Sequence, residues 1–93
     1  MEIIWSVASE KSYLTIIEQL FDKWGIEFVE KFEFQVNQLL TKITKHNYFC
    51  PKSEYLDLHK CVINKHISLI YRINNHQKIE IVLLIFNKSE HIF

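Results

Sequence analysis

Residues 58–93, LHKCVINKHISLIYRINNHQKIEIVLLIFNKSEHIF, decide the fold of this chain. They read as three strands in a row with short polar turns between them. In 66–73, Ile67, Leu69, Tyr71 and Ile73 alternate with His66, Ser68, Ile70 and Arg72, the period-two signature of a strand with two unlike faces. Asn64-Lys65 is the first turn. Asn74-Asn75-His76-Gln77 is the second, because Asn tolerates the left-handed backbone that hairpin turns use. The last strand, 78–86, is apolar on both faces at Ile81-Val82-Leu83-Leu84-Ile85, as a central strand should be.

Working backwards, the periodicity changes. Phe28, Val29, Phe32, Val36, Leu39, Leu40 and Ile43 recur at helical spacing, and so do Tyr13, Ile16, Ile17, Leu20, Phe21 and Trp24. Gly25 sits between the two stripes, where a helix stop with positive φ belongs. Ser6 or Ser9 offers the N-cap of the first helix. Glu2-Ile3-Ile4-Trp5 before it is a short strand. The segment 46–53 breaks the second helix, since Pro51 cannot continue it and pushes Cys50 toward extended backbone. We expect this connector to bring Tyr48 and Phe49 back onto the core.

The expected architecture is α+β in the order β-α-α-β-β-β, an antiparallel sheet with a helical hairpin packed on one face. The other sheet face stays open and is the natural place for function. With 93 residues, the chain reads as one domain, 1–93. Lys plus Arg equals Asp plus Glu, 11 each, so no strong electrostatic hold on nucleic acid is implied. The apolar run 81–86 is far short of a membrane span. The first residues do not resemble a secretory signal. Two cysteines, Cys50 and Cys61, make no disulfide framework, and a reducing, cytoplasmic setting is the expectation. His59 and Cys61 share a strand face, but their spacing matches no recognised metal motif, so no metal and no cofactor are expected.

Several stretches together resemble the RelE/ParE superfamily of bacterial toxins, and the match covers nearly the whole chain. They are Trp5-Ser6 at the end of the first strand, Trp24 at the end of the first helix, and the connector Cys50-Pro51-Lys52-Ser53. With them go Lys60-Cys61-Val62-Ile63-Asn64-Lys65-His66, Leu69-Ile70-Tyr71-Arg72-Ile73 and Ile79-Glu80-Ile81-Val82-Leu83. The resemblance implies a small growth-inhibiting toxin of a type II toxin–antitoxin system, of the sort associated with plasmid stabilization, held by a cognate antitoxin. It also implies a possible homodimer or toxin–antitoxin hetero-oligomer. ParE-like members poison DNA gyrase; RelE-like members cut ribosome-bound messenger RNA. Fold alone does not choose between them.

Cutting RNA at its 2′-hydroxyl needs a base, cations for the phosphoryl oxygens and an acid for the leaving group. RelE-like members resemble one another in supplying lysines and arginines for this on the open sheet face. Laid on that pattern, this chain has His59 and Cys61 at the lysine positions, Ser68 at an arginine position, and Ser89 beside Lys88 at another. The expectation is therefore a ParE-like binding toxin, closer to non-nuclease members. The alternatives are a ribonuclease using His59, His66 and Arg72, for which His59, His66 and Ser68 would lie on the open face, and an inactive interaction-only homologue. Candidate contacts to a partner or target are Lys60, Lys65, Arg72 and Lys88, with Val29 and Phe34 for an antitoxin helix. Arg72 has a plainer reading, a surface pair with Glu80 across the last hairpin, and Lys60 and Lys65 have one as edge lysines that deter aggregation.

Overall fold

The strand meander is present as expected in a computed structural model of the chain, which describes residues 1–53 and 56–87. Its elements are β1 Ile3–Trp5, α1 Val7–Trp24, α2 Ile26–Lys45, β2 His59–Val62, β3 Ile67–Ile73 and β4 Ile79–Phe86. β2, β3 and β4 pair antiparallel, while β1 joins the far side of β4 in parallel, giving the order β1-β4-β3-β2. The sheet as a whole is thus mixed rather than antiparallel. The two helices between β1 and the meander return the chain to the opposite edge, so β1 and β4 meet pointing the same way.

Ser6 starts α1. Its Oγ accepts from the Ser9 N–H at 3.0 Å and donates to the Val82 carbonyl at 3.0 Å, while its N–H donates to the Ile81 carbonyl at 3.1 Å. Ser12, two turns into α1, accepts the Leu84 N–H at 3.1 Å. β1 is only three residues long and leaves the end of the β4 edge unpaired. The N-cap Ser6 and Ser12 of α1 satisfy backbone groups that a longer β1 would have taken.

Gly25 alone links the helices. Its φ of 87° lies in the region that favours glycine, and its N–H caps α1 by donating to Phe21 at 2.9 Å. The inner stripes of both helices meet β3 and β4 in one core of Ile16, Leu20, Phe32, Val36, Ile43, Ile67, Leu69, Tyr71, Ile79, Ile81 and Leu84. Phe21 and Trp24, placed on the α1 stripe by spacing, are 54% and 41% exposed. The stripe is narrower than its sequence, because α2 and the sheet cover only the side bearing Ile16 and Leu20.

β4 contains a bulge. Ile70 pairs with Leu83 but Tyr71 pairs with Ile81, so Val82 is the extra residue. The helix-facing set passes from Ile79 and Ile81 to Leu84 and Phe86 across it. That shift explains why 81–85 reads as apolar on both faces.

The connector corrects two expectations. Tyr48 and Phe49 are exposed, at 72% and 49%, and Cys50 is the residue that enters the core. Residues 51–53 then run along the free edge of β2, with the Lys60 N–H donating to Pro51 at 3.1 Å, the Ser53 N–H donating to Leu58 at 2.8 Å, and a Lys52–His59 bridge. This alignment sets Cys50 opposite Cys61, 5.4 Å apart at Cα, and they form a disulfide. The two cysteines, from which no disulfide framework was expected, are thus bonded to each other, and they no longer argue for a reducing compartment. Among the described residues no helix is long and apolar enough to cross a membrane.

Candidate functional site

The sheet face turned away from the helices is built from three rungs. The first is Val62–Ser68–Ile85, the second Lys60–Ile70–Leu83, and the third Arg72–Glu80–Ile4. Val62 is 67% exposed and Leu83 36%, while Ile70, Ile85 and Ile4 are half-buried. The floor of this face is therefore apolar, with Lys60 at one edge and the Arg72 and Glu80 pair at one end.

The charges on this face are largely matched. Arg72 Nε lies 3.2 Å from Glu80 Oε1, and Lys78 is bonded to Glu2. That contact is the main reason the Glu2 carboxyl is held below its ordinary range. Lys60 has no ion-pair partner among the described residues. Ser68, at the position where an arginine was sought, is fully buried and donates to the side-chain oxygen of Asn87. Its hydroxyl is therefore not presented at the surface of this face.

His59 is not on this face. It pairs with Tyr71 on the helix side, is 3% exposed, and stacks on the Tyr71 ring at 4.7 Å with an interplanar angle of 10°. Its Nδ1 lies 2.7 Å from the Cys50 carbonyl. A carbonyl only accepts, so Nδ1 carries a proton there. Tyr71 completes the cluster by donating to the Asn47 carbonyl at 2.8 Å, and burial pushes its hydroxyl pKa up. This is a packed aromatic end of the core, shut by the disulfide, and it corrects the placement of His59 on the open face.

His66 lies at the other end of the β2–β3 hairpin. It packs on Trp24 with centroids 4.9 Å apart, and Trp24 stacks on Phe28 at 4.7 Å. Beside them Phe28, Lys31, Gln35, Asn64, Lys65 and His66 line a cleft of about 170 Å³. His59, His66 and Arg72 are therefore not brought together: one is in the core, one against the helical hairpin and one on the open face. Among the described residues no cluster of three His, Cys, Asp or Glu side chains is placed to hold a metal.

Of the expected partner contacts, Lys60, Lys65, Arg72 and Phe34 are exposed, Phe34 to 62%. Val29 is 5% exposed and belongs to the core, because it lies on the inner side of α2 with Phe32 and Val36. It is not a docking residue. Lys88 and Ser89 lie outside the described residues. The sequence reading missed Val62, Leu83 and Ile85 as one apolar surface. The bulge at Val82 breaks the alternation that would have marked it.

Known structures share this architecture. A chain titled as a chromosomal ParDE toxin–antitoxin system from P. aeruginosa superposes with a TM-score of 0.78, over 95% of this chain and 97% of that one, at 14% identity. A YoeB/ParE toxin from Agrobacterium tumefaciens gives 0.65, over 94% and 99%, at 15% identity. A copper-bound mutant toxin from Helicobacter pylori gives 0.66, over 99% of both chains, at 15% identity. No protein-family model matches the sequence, and no curated protein does. The chain has the RelE/ParE toxin fold. At these identities the likeness is one of fold and does not carry an activity.

Proposed function

We propose that this chain is the toxin of a type II toxin–antitoxin pair and acts in the ParE-like manner, by binding DNA gyrase rather than by cutting RNA. A cognate antitoxin would hold it inactive. The observation behind this reading is the open sheet face. Its floor is Ile70, Leu83, Ile85 and Val62, its arginine is tied to Glu80, and among the described residues no histidine converges on it. Stabilising a phosphorane needs preorganised cations and a placed acid and base. An apolar floor edged by a few charges suits a protein surface instead. Lys60, Lys65, Arg72 and Phe34 are the exposed groups offered to target or antitoxin.

Inducing the chain alone in bacteria tests this. The expected result is growth arrest, a DNA-damage response, and loss of supercoiling by gyrase incubated with purified protein, all relieved by co-expressing the product of the neighbouring reading frame. Growth arrest with newly cleaved messages and unaffected supercoiling would replace this reading with the ribonuclease one. No arrest, with tight binding of the neighbouring product, would make the chain an interaction-only member.

A further inference from the structure

α1 carries a second apolar line that the core does not use. Val7, Leu14 and Phe21 are spaced by seven and are 67%, 62% and 54% exposed. Seven residues are two turns, so the three side chains stand on one face of the helix. The inner residues Ser9, Ile16 and Leu20 occupy another face of the same helix. Ile17, half-buried, and Trp24, 41% exposed, extend the line along its flank. An apolar line of this length on a solvent-facing helix marks a contact surface.

The charges beside it indicate the occupant. Lys11 precedes Leu14 by one helical turn and Glu18 follows it by one, and both are exposed. Place a second α1 antiparallel to the first, with the two-fold axis between Leu14 and Ile17. Lys11 of each copy then meets Glu18 of the other, Leu14 lies against Ile17 of the other, Val7 against Trp24, and Phe21 against the methylene stem of exposed Glu10, whose carboxylate stays in water. One surface supplies both halves of every contact, as an isologous two-fold interface requires. A uniformly acidic or basic partner would meet one like charge. The chain's zero net charge removes any bulk repulsion between copies.

We infer that two copies of this chain associate through α1, antiparallel about a two-fold axis between Leu14 and Ile17. The line spans about 21 Å of helix at 1.5 Å per residue, which is short for an obligate interface, so the dimer is concentration-dependent. This inference does not rest on the toxin reading.

Sedimentation velocity across a concentration series tests it. The wild type should pass from monomer to dimer, and Leu14→Glu should stay monomeric with an unchanged circular dichroism spectrum. Lys11→Glu and Glu18→Lys should each weaken the dimer roughly tenfold, since each sets two like-charged pairs face to face. The double variant K11E/E18K restores both pairs with the signs exchanged and should return the wild-type dissociation constant. A wild type that remains monomeric, a dimer indifferent to L14E, or a double variant no better than the singles would each overturn the inference.

Discussion

Arg72 and Glu80 face each other directly across the β3–β4 hairpin, Nε to Oε1 at 3.2 Å, on the sheet face that would have to hold RNA in a nuclease. The arginine side chain is 50% exposed and the glutamate 21%, so water screens much of their attraction. A double-mutant cycle of R72A and E80A by urea unfolding should give a coupling of about 0–1 kcal/mol. A coupling of several kcal/mol would mean a desolvated pair, and this end of the sheet would then be closed rather than open.

Ser12 stands where the sheet runs out of strand. Its hydroxyl is the acceptor for the Leu84 N–H and itself donates to the Ser9 carbonyl at 3.0 Å. Ser12→Ala leaves that amide without its partner beside a 3% exposed leucine. The expected loss is about 1–3 kcal/mol, with faster hydrogen exchange at Leu84. Thr15→Ala, at an exposed position on the same helix, should change stability by no more than about 0.5 kcal/mol. Equal effects of the two substitutions would show that the Ser12 bond does not hold the β4 edge.

Local patterns made the elements legible. The stripes Ile16–Leu20 and Phe32–Val36–Ile43 announced two helices, Gly25 their junction, and the alternation around Tyr71 the central strand. Long-range relations were less legible. Nothing in Ile3-Ile4-Trp5 says which strand it will join or in which direction, because that depends on where the helices return the chain. The extra residue Val82 reverses the parity of β4, so Leu83 and Ile85 could not be assigned to the open face by counting. The Cys50–Cys61 bond depends on how residues 51–53 align with β2, and cysteine spacing carries no such information. His59 was misplaced for the same reason: a four-residue edge strand fixes its faces only through its pairing with Tyr71.

Two tyrosines should weaken the fold at alkaline pH. Burial raises the pKa of Tyr71 and of Tyr13, the latter also near the Glu33 carboxylate. A raised folded value means a contribution fully present below the unfolded value, about 10, and lost as pH rises through the folded one. Stability should therefore fall above about pH 10, with tyrosinate absorbance appearing together with unfolding. Tyr71→Phe should lessen that fall, though it forfeits the bond to the Asn47 carbonyl. Glu2 works in the opposite sense. Its lowered pKa gives a contribution present above its unfolded value and lost as pH falls through the folded one, and Lys78→Ala should remove it. Tyrosines that titrate freely below the unfolding transition would contradict the buried cluster.

The disulfide should matter more than any of these contacts. It closes a loop with a sequence separation of 11, for which loss of chain entropy in the unfolded state is worth about 3 kcal/mol. It also pins the connector that receives the Tyr71 hydroxyl and the His59 ring. Cys61→Ser should lower the urea midpoint by an amount equivalent to about 3 kcal/mol, and reduction of the wild type should do the same. The C50S/C61S double variant should be no worse than either single, because all three break one bond. Cys61 is 2% exposed, so reductant should act slowly on the native chain and quickly on the urea-unfolded one. Alkylation of the freshly purified protein reads the native state directly. Two labelled thiols, together with a midpoint indifferent to reductant, would show that the connector is held to β2 by its backbone bonds alone.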